Sequence, residues 1–537
     1  MARALAFVIL AACTTGGDPI PRPEPLAPLP PPAPVTTDRF RDAEACAQCH
    51  QVADDTAALH DATGANISPV RLWRASMMAL AARDPYYLAV FAEELAHAPG
   101  DRDAIETLCT RCHAPAGSEE RRAAGGHLGF DQLLSGTDAA AVLGRGGVTC
   151  TACHQIAAAR LGDEVSFSGG FAIGYDRTLY GRYADPSRMP MQLIVNYTPA
   201  FGAQIASAAL CGTCHTVVLP TPTGEVVEQA TFLEWRSSSF AAQDQPCQFC
   251  HVPTTDDAGG AITTAIAGYP SGLAARTPVG RHGFVGGNSY VLSLLADGVA
   301  WAGTNATADE LIASAARDDA HLATAARLAI VDARRDAGAA VITVRVENLT
   351  GHKLPTGYPS RRIWLHVTAR AGGQVVFESG RADADGAIVD DRDQPIADQP
   401  HRDTIDASDQ AQIWEAVLID SAGRATHRAL DARRYGKDDR LLPAGFAPSA
   451  TDRVRTASVG VDGDPSFAPG SDQVTYRIAG APADLTLDIE LCYEAIRPAI
   501  VDAIDASATP AGTRFVDLAR ARPVAPVVMA RTAQQVP

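Results

Sequence analysis

The chain has 537 residues, which corresponds to three or four domains of about 150 residues each. Hydrophobic residues make up 46% and charged residues 20%, a composition that excludes a largely disordered chain. The net charge of −17 argues against nucleic acid as a partner, because binding to phosphates needs clustered cations. No apolar run reaches the ~18 residues that span a bilayer, which argues against a polytopic membrane protein.

The N-terminal residues resemble a bacterial lipoprotein signal. One arginine precedes a short apolar stretch, and the segment Leu10-Ala11-Ala12-Cys13 resembles a lipobox. We therefore expect residues 1–12 to be a signal peptide and Cys13 to carry the lipid, with an export signal without lipid as the alternative. Either interpretation predicts an extracytoplasmic protein, in the periplasm or at the outer membrane or cell surface of a bacterium.

Residues 13–38 contain nine prolines between Pro19 and Pro34. Proline lacks the backbone N–H that helices and sheets require, and runs of it favour the extended polyproline II conformation. We predict that this segment is a tether between the lipid anchor and the folded part of the chain.

Ten of the twelve cysteines lie in five copies of the pattern Cys-x-x-Cys-His. In chain order, the first to fifth motifs are Cys46/Cys49/His50, Cys109/Cys112/His113, Cys150/Cys153/His154, Cys211/Cys214/His215 and Cys247/Cys250/His251. This is the attachment pattern of c-type haem, in which both thiols bind the porphyrin covalently and the histidine is the proximal iron ligand. Zinc sites and redox dithiols do not need a histidine after every second cysteine. We predict five covalently bound c-type haems in a domain over residues 39–292.

Each haem iron then needs a distal ligand, or keeps an open position that admits a substrate. His282 and His352 are the strongest distal candidates, because each lies in a loop rich in glycine or proline that permits close approach to a porphyrin. Met78, on a predicted helix after the first motif, is a further candidate. Additional possible distal ligands are His60, His97, His127, His401 and Met191. We expect His321, His366 and His427 at the surface.

The C-terminal half changes from helical to alternating periodicity. Thr307 has the features of an N-cap, and the apolar positions that follow predict a connector helix within residues 293–336. Residues 337–500 contain about seven short alternating segments, which predict a β-sandwich of the immunoglobulin-like kind. Residues 501–537 are expected to form a tail. The predicted fold class is thus α+β and multidomain: a haem domain with short helices and little regular structure, followed by the sandwich.

Several longer motifs resemble those of exported bacterial multihaem cytochromes of the cytochrome c554-like family with a β-rich C-terminal domain. They are the stretches 73–85, 147–154, 210–216, 228–251, 282–288, 351–353 and 437–446. The resemblance spans residues 43–498 and implies electron transfer, with Met78, His282 and His352 as axial ligands. Val252 stands where a methionine is expected after the fifth motif.

Three functions remain open at this point. The first is electron transfer through five haems, with a redox protein or a small molecule as donor and acceptor. The second is a multihaem reductase, for instance of nitrogen oxyanions, in which one haem has an open position. Pentahaem nitrite reductases use a proximal lysine, and neither lysine of this chain lies in a motif, which argues against that class. The third is a partner- or glycan-binding module in the sandwich.

Overall fold

The computed structural model describes residues 22–53, 56–221, 224–396 and 398–536. Cys13, the predicted lipid-attachment site, and the signal peptide before it lie outside these residues. Within the described ranges, no helix combines the length and the apolar character needed to cross a bilayer.

The N-terminal half consists mainly of short helices. They are α1 Glu44–His50, α2 Pro69–Arg74, α3 Met77–Leu80, α4 Pro85–His97, α5 Arg102–His113, α6 Pro115–Ala123, α7 Phe130–Ser135, α8 Ala139–Arg145, α9 Cys150–Cys153, α10 Arg188–Val195, α11 Ala208–Gly212, α12 Thr231–Arg236, α13 Ser239–Ala242 and α14 Cys247–His251. The longest, α4, starts with a proline at its first position, and the Asp84 carboxylate accepts hydrogen bonds from the Tyr86 and Tyr87 amides. Two small pairings, β1 Thr178–Gly181 with β2 Thr198–Phe201 and β3 Val217–Thr221 with β4 Gly224–Gln229, complete this half.

The C-terminal half is rich in strands. Its helices are α15 Ser289–Asp297, α16 Val299–Ala302, α17 Ala308–Leu322, α18 Ala450–Arg455, α19 Pro498–Ala506 and α20 Pro510–Ala521. Its strands are β5 Ala326–Asp336, β6 Ala339–Asn348, β7 Arg362–Ala371, β8 Gln374–Ser379, β9 Arg381–Ala382, β10 Ile388–Val389, β11 Thr404–Ile405, β12 Ile413–Ile419, β13 Ala425–Thr426, β14 Arg434–Asp438, β15 Ser471–Ala479, β16 Thr486–Glu494 and β17 Val527–Gln535.

Two sheets dominate this half. Among the described residues, one has the order β11-β15-β6-β5, and the other has the order β13-β12-β7-β16-β17, with β14 on β12 and β8 on β7. Antiparallel registers place Val344 opposite Val474 in the first sheet and Val367 opposite Ile489 in the second. All four side chains belong to one buried apolar cluster, so the two sheets share a core.

The same core extends into the helical half. Leu88 and Phe91 on α4 are buried in one cluster with Phe515 and Val516 on α20 and with the sheet residues. Burial of this apolar surface is the main stabilising term that joins the two halves. The molecule is therefore a mixed α+β protein with a helical N-terminal part and a sheet-rich C-terminal part.

The predicted connector over 293–336 is corrected by the structure. The N-cap at Thr307 is present, since its hydroxyl accepts a hydrogen bond from the Glu310 amide, but α17 ends at Leu322. Residues from Ala326 onward form β5, because their backbone pairs with β6 along its whole length. Sequence spacing alone could not separate the last helical residues from this partly exposed edge strand.

The predicted C-terminal tail over 501–537 is also corrected. Helix α20 packs on α4, and β17 pairs antiparallel with β16, so that Thr532 lies opposite Ile489. The last strand therefore forms an edge of the larger sheet and is not an unpaired tail.

The proline-rich segment is extended, but the part from residue 22 onward is docked instead of acting as a free tether. The Leu29 amide donates to the Trp301 carbonyl at 2.8 Å, and the Leu26 amide donates to the Pro510 carbonyl at 2.8 Å. The Leu29 side chain is 4% exposed. The tether prediction for 13–38 is corrected for these residues because leucines between the prolines bury apolar surface against the core.

The shared core yields a stability prediction. Ile489 on β16 is fully buried between the sheets, and its replacement by alanine should lower the free energy of unfolding by about 2–5 kcal/mol. Urea denaturation followed by circular dichroism measures this change. The control is Val376→Ala on β8, where the side chain is 43% exposed and a change within about 0.5 kcal/mol is expected. Equal midpoints for the two variants would contradict the assigned core.

Candidate functional site

Every Cys-x-x-Cys-His motif lies on or at the end of a short helix. The first, second and fifth motifs end α1, α5 and α14 at the histidine, while the third and fourth occupy α9 and the end of α11. Residues three apart in a helix lie on the same face, so the two cysteines of a motif project side by side. Each motif therefore offers two thiols and one imidazole to a planar group such as the predicted porphyrin.

Four of the five motif histidines are oriented by a backbone carbonyl. In each, Nδ1 donates a hydrogen bond: His50 to Ile266 at 2.8 Å, His113 to Ala81 at 2.9 Å, His154 to Tyr180 at 2.7 Å and His251 to Val285 at 2.6 Å. Such a bond fixes the tautomer and leaves the Nε2 lone pair free for a metal. The ring of His113 is also stacked on that of Tyr87, at a centroid distance of 3.7 Å.

Burial keeps these imidazoles neutral. It lowers the pKa of His113 and His215 to about 4, and it lowers the pKa of His50, His154 and His251 below the usual value. Neutral imidazole is the form that binds a metal, so at neutral pH these side chains need lose no proton before ligation.

The motifs lie close to one another. Three pairs of cysteines from different motifs lie next to each other: Cys46 with Cys150, Cys112 with Cys214, and Cys211 with Cys247. Cys153 of the third motif lies within electrostatic range of both cysteines of the fourth. The fourth motif therefore neighbours the second, third and fifth, and the first motif joins the group through the third.

Two predicted distal histidines face motif histidines. The ring centroids of His154 and His282 are 6.4 Å apart with 24° between the ring planes, and those of His251 and His352 are 6.4 Å apart with 16°. Two imidazoles that bind one metal atom from opposite sides, through bonds of about 2 Å, have ring centres about 6.3 Å apart. The chain thus holds both pairs at the separation that one iron atom requires.

The distal candidates have the same hydrogen bonding as the motif histidines. Nδ1 of His282 donates to the Gly280 carbonyl at 3.0 Å, and Nδ1 of His352 donates to the Lys353 carbonyl at 2.8 Å. Burial lowers the pKa of both to about 4. Each is therefore a neutral imidazole whose free nitrogen is Nε2, as ligation of a haem iron requires.

A buried charged cluster anchors the loop that carries His352. Lys353 Nζ lies 2.7 Å from Asp438 Oδ2, and Arg440 makes two hydrogen bonds to the same carboxylate at 2.7 and 2.8 Å. Arg440 also lies 3.2 Å from Oε1 of Glu234 on α12. Burial alone would raise the pKa of Asp438, but the two cations outweigh it and hold that pKa below its usual range. The cluster links the helical half to the sheets.

Three possible distal ligands have carboxylate partners; the prediction for His401 is corrected, and those for His97 and His127 stay predictions. His97 is half exposed and pairs through Nε2 with Asp431 at 3.4 Å, and His127 pairs through Nε2 with Glu106 at 2.8 Å. Both ring nitrogens of His401 face carboxylates, Asp439 at 3.1 Å and Asp464 at 3.0 Å. Both ring nitrogens of His401 are therefore engaged, whereas the contacts of His97 and His127 engage Nε2.

His60, Met78 and Met191 stay predictions. Nδ1 of His60 donates to the Ala58 carbonyl at 3.1 Å, which leaves its Nε2 free. Met78 lies on α3, and its carbonyl accepts from the Val148 amide at 2.9 Å, two residues before the third motif. Met191 is partly buried on α10.

Two features of the site were not predicted from the sequence. His321 on α17, expected at the surface, has its ring centroid 5.3 Å from that of His251. Glu234, within a stretch noted for its family resemblance, is fully buried against the His352 loop. Neither position carries a local signal, because each depends on a helix that packs against a segment distant in the chain.

The chain matches no family model and no curated protein, but it does match a solved structure. That structure is a penta-heme cytochrome c552 from Thermochromatium tepidum, with 18% sequence identity and a TM-score of 0.53. The match covers 94% of this chain and 100% of the other. At this identity it shows the fold: over most of its length the chain is similar in structure to a penta-heme cytochrome.

The charged cluster yields a second stability prediction. Asp438→Ala leaves Lys353 and Arg440 buried without their carboxylate, and it should lower the free energy of unfolding by about 3–5 kcal/mol. The measurement is the urea midpoint. The control is Asp488→Ala, which removes a surface pair with Arg531 and should move the midpoint little. A small shift in the Asp438 variant would show that the cluster does not hold this part of the fold.

Proposed function

We propose that the protein is a pentahaem c-type cytochrome that transfers electrons outside the cytoplasm. The observation that carries the proposal is that the arrangement of the motifs and the spacing of two histidine pairs both suit covalently bound haem. The five motifs present paired thiols beside oriented, neutral imidazoles, and two of those imidazoles face a second histidine at 6.4 Å. The structural similarity to a penta-heme cytochrome c552 supports it independently.

The residues present fit covalent haem at each motif. The cysteines would hold the porphyrin through thioether bonds, and His50, His113, His154, His215 and His251 would bind the iron. His282 and His352 would be the distal ligands at the third and fifth motifs. Bound haem iron supplies one-electron chemistry, while the chain fixes ligands, burial and hydrogen bonding, which set the potentials.

The contacts between motifs define a route for electrons. The first motif neighbours the third, and the third neighbours the fourth, which in turn neighbours the second and the fifth. The fifth motif is the most accessible of the group: Cys250 is exposed, and Phe249 between its cysteines is 60% exposed. We propose that the fifth motif exchanges electrons with the redox partner, a protein or a small molecule.

The sheet-rich half would act as a β-sandwich, of the immunoglobulin-like kind predicted from sequence, that covers the haem region and supplies His352. We also propose that Cys13 carries a lipid that anchors the protein to a bacterial membrane. We favour this role for the sandwich over glycan or partner binding, because its loop at 348–357 contacts the helical half directly.

A reductase remains the second candidate, for one specific reason. In the described parts of the chain, no second histidine ring stands opposite His50, His113 or His215 as it does at the third and fifth motifs. A haem at one of these positions could keep an open coordination site for a substrate, unless His60 or a methionine fills it.

Carbon monoxide separates the two candidates. If all five haems are six-coordinate, the reduced protein should bind carbon monoxide only slowly and to a small fraction of its haems, as read from the Soret band. Rapid binding at one haem per chain would favour the reductase. A reductive titration of the same sample should take up five electrons per chain, and uptake of fewer would contradict the proposed cofactor content.

The distal ligands are tested by substitution. His282→Ala and His352→Ala should each convert one haem from low-spin to high-spin, because a strong sixth ligand is lost, and electron paramagnetic resonance detects this change. The matched control is His97→Ala, whose imidazole pairs with Asp431 and should leave the spectrum unchanged. If either of the first two variants shows no new high-spin haem, the substituted histidine is not a ligand.

A further inference from the structure

The loop over residues 348–357 fixes its own shape through internal hydrogen bonds. The Asn348 side-chain amide and the Thr350 hydroxyl both donate to the His352 carbonyl, at 2.8 and 2.9 Å. These bonds lie within the loop, so they cannot determine how far His352 stands from His251 on the other half of the molecule. The distance between His352 and His251 must therefore be set by a contact between the two halves.

Glu234 makes that contact. Its Oε2 accepts hydrogen bonds from the Lys353 amide at 3.1 Å and from the Thr356 hydroxyl at 2.6 Å, and its side chain is fully buried. The backbone approaches closely at the same place, since a Cβ on Gly351 would lie 3.1 Å from the Trp235 ring. The loop therefore rests on the segment that carries Glu234.

Lys353 connects the carboxylate to the imidazole. Its N–H donates to Glu234, and its carbonyl accepts from Nδ1 of His352 at 2.8 Å. A shift of the Lys353 backbone would thus move the bond that orients the His352 ring. Arg440, 3.2 Å from the other carboxylate oxygen, keeps Glu234 in place from behind.

We propose that Glu234 is a positioning residue that holds His352 at the iron of the fifth haem, opposite His251. This inference rests on the proposed function. It gives a role to two stretches that the sequence alone left without one, the motif around Glu234 and the segment that contains Asp438 and Arg440, and it ties both to the His352 loop. Together these stretches connect the two halves, and their contacts would keep His352 in place as the sixth ligand of the fifth haem.

The test uses the full haem-loaded protein and compares Glu234→Ala with His352→Ala. Loss of both hydrogen bonds should release His352, so Glu234→Ala should show one high-spin haem of the five by electron paramagnetic resonance. The reduced variant should bind carbon monoxide at that haem. Glu234→Gln keeps an acceptor oxygen for the Lys353 amide and the Thr356 hydroxyl, and it should stay mostly low-spin.

Glu415→Ala is the matched control for a merely structural effect. Glu415 is a buried carboxylate on β12, in the sheet-rich half that carries the loop; it pairs with Lys437 at 3.5 Å and Arg497 at 2.9 Å and makes no hydrogen bond to the loop. It should lose stability in urea yet keep all haems low-spin. A low-spin Glu234→Ala beside a high-spin His352→Ala overturns the inference and leaves the proposed function standing. A low-spin His352→Ala overturns the ligand assignment on which the inference depends.

Discussion

The spacing of imidazole pairs is the constraint on which the rest of the structure depends. A single iron atom can accept two histidines only if their ring centres are about 6.3 Å apart and their Nε2 atoms face each other. The chain meets the distance requirement twice, at His154 with His282 and at His251 with His352, whose ring centroids are 6.4 Å apart. Backbone carbonyls hold the rings in orientation through Nδ1, and burial keeps them neutral.

The two halves of the molecule serve this constraint in different ways. The helical half places the motifs side by side, and its backbone carbonyls orient four of the five motif histidines. The sheet-rich half provides a rigid base for the His352 loop, because its two sheets share one apolar core with α4 and α20. The buried cluster of Glu234, Lys353, Asp438 and Arg440 then joins the loop to the helical half. We expect this cluster to fix the position of the loop more than it adds net stability.

The features that could be predicted from sequence are local. The five motifs each fit within five residues, and the N-cap at Thr307 within four, so neither depends on the rest of the fold. The loops around His282 and His352 were predicted to carry distal ligands because glycine there permits close approach to a porphyrin and proline restricts the backbone. The change from helical to alternating periodicity predicted the sheets, although the boundary at Ala326 was placed too late.

The features that could not be predicted depend on contacts between distant segments. His401 meets Asp439 and Asp464 only after the sheets have formed, and His97 meets Asp431 only across the interface between the halves. The docking of Leu29 beside Trp301 likewise needs the folded core. The sequence around an isolated histidine or leucine does not indicate such a partner. Distal ligands are therefore harder to predict from sequence than motif residues.

Mass spectrometry of the mature protein from a host that attaches c-type haem tests the central claim most directly. We predict a mass increase of five haems over the processed chain, with peptides from each of the five motifs carrying one haem. A mature protein with fewer than five attached haems, or one without colour, would contradict it.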